Sequence, residues 1–259
     1  MEIFPALTSE MGFEGYEMVE DRCEGYLPFH LGDRPFFERV QEIAEQLGLS
    51  VRTHFMADRN WNAEWESNFE PLVVEDKILV KATFHDVRES YPYTLVISPK
   101  MAFGTGHHET TYMMLRAMLE MDWEGQSVLD YGSGTGILSV AARMLGSGPV
   151  TAVDIQPEAA SNAKDHIRLN KVDRIAVLTG DITAVPDGEY EVILANINRN
   201  VILGTLPDMV RLLAPSGTVL ISGILMEDRE LVLERAYSVG LSLSHTLTKG
   251  NWLCFKMHL

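Results

Sequence analysis

From residue 72 onward, apolar residues form short runs of strand-like length, and segments with helical spacing separate these runs. The predicted strands span residues 78–84, 94–97, 128–130, 150–153, 175–178, 191–195, 218–222, 242–247 and 252–257. The predicted helices span residues 109–121, 137–145 and 157–170, with two more near residues 201–213 and 228–239. This alternation predicts an α/β domain whose largely parallel sheet is covered by helices on both faces.

The first 60 residues have a different pattern and a strongly acidic composition, with 12 Asp or Glu against 5 Lys or Arg. A helix is predicted near Phe4–Met11 and a strand at Tyr16–Val19. Apolar residues at helical spacing predict a second helix at Pro35–Leu47, because proline suits a first turn and a glycine follows the segment. A strand at Val51–Phe55 completes a small α+β unit.

Between these two regions, residues 58–71 carry aromatic side chains at intervals of four. Trp61, Trp65 and Phe69 would therefore share one face of a helix. The simplest interpretation is a linker helix that packs this aromatic face on a neighbouring domain.

Composition limits the class of protein. The 259 residues, 46% of them hydrophobic, are enough for one large core and a small extra domain. Cys23 and Cys254 lie far apart, which favours a reducing compartment over a disulfide framework. No apolar run approaches the roughly 18 residues of a membrane helix, so we expect a cytoplasmic protein without membrane attachment. No apolar surface stripe is apparent that would require a second copy, so a monomer is expected.

The formal net charge of −16 argues against direct binding to nucleic acid, because neutralising phosphates requires Lys and Arg. An acidic surface suits a basic partner, whose approach it would accelerate. Solubility alone would also explain the charge.

A glycine-rich turn carries the strongest chemical signal. The segment Val128-Leu-Asp-Tyr-Gly-Ser-Gly-Thr-Gly136 runs from a strand into a helix, and Asp154 ends the next strand. Glycine allows close approach of a ligand, and the carboxylate can accept both hydroxyls of a ribose. The dinucleotide spacing G-x-G-x-x-G fails, because Ile137 and Ser139 occupy the two possible positions of its third glycine. The pattern instead resembles class I methyltransferases, which bind S-adenosylmethionine; Gly132, Gly134 and Asp154 are the predicted cofactor residues.

Two further polar residues follow apolar strands. Asp181 comes after the strand at residues 175–178, where this fold usually contacts the adenine amine; a surface turn is the alternative. Asn196 follows the strand at residues 191–195, and carboxyl ends of strands face the ligand crevice in open α/β sheets. Amine- and amide-methylating enzymes often carry Asn-Pro-Pro-Tyr there. Only the asparagine is present here, and we predict that it acts in catalysis and at the cofactor.

The segment Met101-Ala-Phe-Gly-Thr-Gly-His-His-Glu-Thr-Thr111 brings His107, His108 and Glu109 together. Adjacent histidines point in divergent directions, and no third histidine or thiol has a suitable spacing, so no metal site is predicted. The favoured interpretation is a glycine-containing loop that lies over the cofactor and leads into a helix.

Together these segments resemble the ribosomal protein L11 methyltransferases of bacteria. The matching segments, from about residue 58 to the end, are Trp61-Asn-Ala-Glu-Trp-Glu-Ser-Asn-Phe-Glu-Pro71, residues 101–111, the glycine turn, residues 153–157, 194–198 and 222–225, and Asn251-Trp252. The Phe-Gly-Thr-Gly-His block is considerably more specific than the glycine turn. The resemblance implies that Thr111, Gly132, Asp154 and Asn196 contact S-adenosylmethionine.

The resemblance also implies a domain arrangement. Residues 1–56 would form a ferredoxin-like recognition domain, residues 57–71 a linker helix, and residues 72–259 a Rossmann-like class I methyltransferase domain. In the family the recognition domain opens with a strand and then a helix, whereas this chain begins within that helix. Three explanations stay open: a misassigned start codon, a trimmed and therefore incomplete domain, or a minimal recognition domain. Tyr131 and Ser133 stand where small or cysteine residues are common, and neither should prevent cofactor binding.

The implied reaction transfers methyl groups to lysine ε-amines or the N-terminal α-amine of a basic ribosomal protein, L11. Asn196 would orient the amine, and His107 is one candidate for a general base. Three alternatives stay open: a methyltransferase of this fold acting on another amine, an amide or a small molecule; a non-catalytic relative; and an NAD-dependent dehydrogenase, which the failed dinucleotide spacing weakens.

Overall fold

A computed structural model of the chain describes residues 3–8, 11–19, 22–28, 31–54, 70–98 and 109–259. Two compact units make up the chain, Met1–Trp61 and Asn62–Leu259. The predicted linker helix with its aromatic face, apart from Glu70 and Pro71, and the Met101–His108 part of the glycine-containing loop lie outside the described residues.

Among its described residues, the N-terminal unit combines two helices with one hairpin. Its elements are α1 (Ile3–Thr8), β1 (Gly15–Val19), β2 (Arg22–Tyr26) and α2 (Arg34–Gln46). The strands β1 and β2 pair in antiparallel register. Asp33 caps α2 by accepting a hydrogen bond from the backbone N–H of Phe36 at 2.9 Å. The α+β character, both helices and the strand at residues 16–19 were predicted.

The strand predicted at Val51–Phe55 is wrong for residues 51–54, which have no regular secondary structure. Val51 is 39% exposed, and no strand within the described part of the chain pairs with this segment. A short alternating pattern therefore has no buried face to hold it in a sheet. The pattern also failed to indicate β2, whose sequence Arg-Cys-Glu-Gly-Tyr includes two charged residues and a glycine.

The second unit contains a small sheet, a large sheet and five α-helices among its described residues. The strands are β3 (Leu72–Val74), β4 (Ile78–Ala82), β5 (Tyr93–Ile97), β6 (Val128–Tyr131), β7 (Val150–Asp154), β8 (Ile175–Thr179), β9 (Tyr190–Asn196), β10 (Leu213–Leu225), β11 (Ser242–Lys249) and β12 (Trp252–His258). The helices are α3 (Glu109–Met118), α4 (Ile137–Leu145), α5 (Pro157–Leu169), α6 (Arg199–Leu212) and α7 (Arg229–Ser238).

The large sheet has seven strands in the order β11-β12-β10-β9-β6-β7-β8. The strands from β10 to β8 are parallel, and β12 runs antiparallel to both β10 and β11. This arrangement confirms the α/β class and the closing antiparallel pair. The strands predicted at residues 78–84 and 94–97 instead belong to a separate three-stranded sheet, in the order β3-β4-β5.

The centre of the large sheet is buried on both faces. Every residue of β6 is buried, as are Val192 to Ala195 in β9. Such continuous apolar runs are typical of parallel strands covered by helices. No helix among the described residues is long and apolar enough to cross a membrane.

Candidate cofactor and catalytic site

The predicted site residues lie where the parallel strands of the large sheet end. Asp154 is the last residue of β7, and Asn196 is the last residue of β9. Between these strands lies β6, which pairs with both and leads into the glycine turn. Adjacent parallel strands therefore deliver the turn, the carboxylate and the amide to one edge, the position where open α/β sheets bind ligands.

The glycine turn, residues 132–136, needs glycine for two physical reasons. Gly132 and Gly136 have φ values of 70° and 72°, which residues with a side chain rarely adopt. A Cβ atom on Gly132 would also lie 2.1 Å from Cγ2 of Ile197, and one on Gly136 would lie 2.9 Å from Cβ of Ala163. The turn thus packs tightly against the segment after β9 and against α5.

Asp154, the predicted ribose-binding residue, anchors the glycine turn. Its Oδ2 accepts a hydrogen bond from the backbone N–H of Gly134 at 2.8 Å, and its Oδ1 accepts one from Gln156 at 2.9 Å. Each carboxylate oxygen has a second lone pair, so both can still accept a ligand hydroxyl. The adjacent Ile155 is 71% exposed, which places an apolar surface beside the carboxylate.

Asp130 caps the helix that follows the turn from within the core. It is 1% exposed, and its Oδ2 accepts hydrogen bonds from the backbone N–H and the hydroxyl of Ser139 at 3.0 and 2.6 Å. Helix α4 begins after Gly136, which supplies no side-chain cap, so the Asp130 carboxylate serves as its cap. Burial raises the pKa of Asp130 to about 6; the Ser139 hydrogen bonds oppose this shift, and the charge of Asp154 adds to it.

Because its pKa is raised in the folded state, Asp130 makes the protein less stable as pH rises. The group ionises near pH 3.9 in the unfolded chain, so below that pH the contribution of Asp130 to the free energy of unfolding has its full value. This contribution falls as pH rises towards the folded-state pKa of about 6, and it changes little at higher pH. Relative to an Asp130→Asn variant, the wild type should lose about 1 kcal/mol of unfolding free energy between about pH 5 and about pH 7.5. Urea unfolding at both pH values measures this difference, and parallel pH profiles would contradict it.

Asp181 has a structural role in the turn after β8. Its Oδ1 accepts hydrogen bonds from the backbone N–H and the hydroxyl of Thr183 at 2.9 and 2.6 Å, which caps the 3₁₀-helix Ile182–Ala184. These hydrogen bonds, the hydroxyl first, lower the pKa of Asp181. Oδ1 of Asp181 therefore has the role expected of a residue in a surface turn. Contact of Asp181 with adenine stays a prediction.

Thr111 and Asn196 are in contact at the same edge of the sheet. Thr111 is buried in the first turn of α3, and its Oγ1 accepts a long hydrogen bond from Nδ2 of Asn196 at 3.4 Å. This contact directs the Asn196 amide nitrogen towards α3. Two residues later, Asn198 has a separate role, because its Oδ1 accepts from the N–H of Val201 at 3.1 Å and caps α6.

Three features of this region were not predicted from the sequence. The first is the Asp130 cap, although Asp130 begins the glycine motif. The second is Ser133, whose Oγ is the one buried side-chain oxygen or nitrogen of the described residues that lacks a hydrogen-bond partner. The third is His166 on α5, whose Nδ1 lies 2.7 Å from the carbonyl oxygen of Thr135 in the turn. Only Asp130 gave a sequence signal, through its place at the start of the motif.

The predictions for His107 and His108 fall on residues outside the described part. Within the described ranges, no group of three or more His, Cys, Asp or Glu is placed to hold a metal ion. A cavity of about 500 Å³ lies away from the strand ends described above. It is lined by residues near the start of β5 and before β6, among them Tyr93 and Trp123, and contains none of the predicted site residues.

Comparison with known proteins agrees with the resemblance. The family model for "Ribosomal protein L11 methyltransferase (PrmA)" matches residues 14–259. A protein of that name from Phocaeicola vulgatus is 38% identical over 262 residues, covering 98% of this chain and 92% of that protein. One from Porphyromonas gingivalis is 38% identical over 262 residues, covering 98% of this chain and 89% of its own length.

The fold also matches a solved structure. The crystal structure of a ribosomal protein L11 methylase from Lactobacillus delbrueckii subsp. bulgaricus superimposes with a TM-score of 0.69 and 24% identity. The superposition covers 73% of this chain and 98% of that one. At this identity the match bears on the fold, and it agrees with the seven-stranded sheet. With the family model matching nearly the whole chain, this protein belongs to the ribosomal protein L11 methyltransferase family.

Proposed function

We propose that the protein transfers methyl groups from S-adenosylmethionine to amino groups of ribosomal protein L11. The observation that carries the proposal is the meeting of Thr111, Asp154 and Asn196 at one sheet edge in a chain of this family. We expect the enzyme to act as a monomer in the cytoplasm, with residues 1–56 as the recognition domain, 57–71 as a linker helix and 72–259 as the methyltransferase domain.

The residues at this edge fit the chemistry of the cofactor. The Asp154 carboxylate retains lone pairs for two ribose hydroxyls, and Asp181 follows the next strand, where it would approach adenine. Gly132 and Gly134 carry no side chain that would obstruct a ligand, and Ser133 offers a buried hydroxyl that has no protein partner. Bound S-adenosylmethionine would supply a methyl group already activated by a positively charged sulfur.

Asn196 would orient the amine that receives the methyl group. Its Nδ2 donates to Thr111, so its Oδ1 is the amide atom available to accept a hydrogen bond from the amine. The amine must be neutral to react. Deprotonating a lysine of pKa about 10.4 costs about 4.6 kcal/mol at pH 7, whereas an α-amine of pKa near 8 costs about 1.4 kcal/mol. We therefore propose that lysine is methylated mainly at high pH, or where the site lowers its pKa.

Intact-mass spectrometry of purified L11, incubated with the enzyme and S-adenosylmethionine, tests the proposal. Mass gains in steps of about 14 Da are expected, one methylene for each methyl transferred. L11 with an acetylated N-terminus separates the two amine classes, because acetylation removes the α-amine and leaves the lysines. Gains that persist assign lysine, and gains that vanish assign the α-amine. An unchanged mass, with cofactor binding shown separately, would refute L11 as the substrate.

A further inference from the structure

Helix α5 covers a strand edge that backbone pairing leaves open. In β5, the carbonyl of Ile97 faces β4 and accepts a hydrogen bond from Thr83 at 3.0 Å. Backbone groups alternate in direction along a strand, so those of Val96 and Ser98 point to the opposite edge. Unpaired N–H and C=O groups on such an edge need other partners. His166 on α5 and Asn170, which caps the end of that helix four residues later, supply them.

The Asn170 side chain acts as a substitute peptide group for Val96. Its Oδ1 accepts from the Val96 N–H at 2.7 Å, and its Nδ2 donates to the Val96 carbonyl at 2.7 Å. Four residues of α-helix rise about 6 Å, and two residues of strand rise about 6.6 Å. Because these distances match, His166 lies level with Ser98 when Asn170 lies level with Val96.

His166 makes the second contact and reaches further. Its Nε2 lies 2.9 Å from the Ser98 nitrogen and 3.3 Å from the Ser98 carbonyl oxygen, while its Nδ1 faces the Thr135 carbonyl. Because a carbonyl only accepts, we assign the imidazole proton to Nδ1, which leaves Nε2 to accept from the Ser98 N–H. Nδ1 then donates to the carbonyl of Thr135 at 2.7 Å, inside the glycine turn. The imidazole is 2% exposed. One buried ring thus joins the turn to Ser98, which directly precedes residues 99–108.

We propose that His166 is a positioning residue for the cofactor: it fixes the Thr135 carbonyl and so holds the glycine turn in its binding conformation. Asp154 fixes the neighbouring Gly134 N–H, so two side chains hold consecutive residues of the turn. A turn already ordered does not lose conformational entropy when a ligand binds, which strengthens binding. This inference rests on the proposed cofactor site.

Three variants separate the two contacts of the ring. His166→Gln places an amide near the Nε2 position, which preserves an acceptor for Ser98 and removes the donor to Thr135. His166→Asn places its amide near Nδ1, which preserves the donor to Thr135. Asn170→Ala is the control, because it removes the Val96 contacts and the hydrogen bond from Nδ2 to the His166 backbone carbonyl at 2.8 Å, but no contact of the His166 ring with the turn. Calorimetric titration with S-adenosylhomocysteine gives Kd for each, and thermal unfolding gives Tm.

We expect His166→Gln to raise Kd about tenfold, His166→Asn by less than about threefold, and Asn170→Ala by less than about twofold despite a lower Tm. Losses of affinity that follow Tm across all three variants would mean that His166 only stabilises the fold. Wild-type affinity in His166→Gln would overturn the inference directly. Failure of the wild-type protein to bind would instead refute the proposed cofactor site.

A second test of the proposal uses the wild-type protein, so it does not depend on whether a variant folds. Imidazole ¹⁵N chemical shifts distinguish the two neutral tautomers of histidine. We expect His166 to show the form protonated at Nδ1, since Nε2 accepts from Ser98. The tautomer protonated at Nε2 would exclude donation to Thr135 and overturn the proposal.

Discussion

Replacing Asp154 with alanine should weaken S-adenosylhomocysteine binding by roughly 2–4 kcal/mol, or about 30-fold to 1000-fold in Kd. The proposed site loses two charge-assisted hydrogen bonds from ribose hydroxyls. The same carboxylate also holds the N–H groups of Gly134 and Gln156 at 2.8 and 2.9 Å. Truncation therefore releases the turn as well, which places the expected loss towards the upper part of the range. Calorimetric titration measures it.

Two further variants isolate the cause. Glu158→Ala removes an equal charge from the exposed first turn of α5, and its affinity should stay within about twofold of wild type. Asp154→Asn keeps the shape, but its NH₂ group must face the N–H of either Gly134 or Gln156. We therefore expect it to lose most of the affinity that Asp154→Ala loses. Unchanged binding in Asp154→Ala would remove Asp154 from the ribose site.

The large sheet could be predicted because burial on both faces leaves a strong local pattern. Strands such as Val128–Tyr131 and Tyr190–Asn196 are short apolar runs, and each is followed by turn residues and then a helical segment. Prediction failed where stability depends on distant partners. Val51 and its neighbours alternate as a strand would but have no buried face, and β10 extends from Leu213, well before its apolar centre.

The same difference between local pattern and distant contacts decides which parts of the candidate site could be predicted. The ends of β7 and β9 indicated Asp154 and Asn196, because topology alone brings the carboxyl ends of adjacent parallel strands together. The hydrogen bonds that hold the turn and the following helix in place could not be predicted. Cap formation by Asp130, anchoring of Gly134 by Asp154 and the contact of His166 with Thr135 all join residues from separate elements. Such hydrogen bonds have no spacing rule in a single sequence.

Asn196→Ala should lower turnover about 100-fold and raise the Kd of S-adenosylhomocysteine by less than about tenfold. Transfer requires the amine in line with the methyl group, and losing the group that orients an attacking atom costs on the order of 100-fold. Thr111→Val removes the hydroxyl that accepts from Asn196 Nδ2, so the amide can rotate; turnover should fall about tenfold. Single-turnover mass spectrometry of L11 measures both rates.

Asn196→Asp tests the chemistry as well as the position. The new side chain matches asparagine in size, and one of its carboxylate oxygens could still bond to the Thr111 hydroxyl, now as the acceptor. A carboxylate beside the amine would stabilise the protonated form and raise the pKa of that amine. Turnover should therefore fall near neutral pH and recover in part as pH rises, with the rising limb of the pH–rate profile displaced upward. Asn196→Ala should lower turnover at every pH, because it removes orientation without adding charge. An undiminished rate in Asn196→Ala would exclude the residue from the site, and identical pH profiles for the two variants would contradict contact between Oδ1 and the amine.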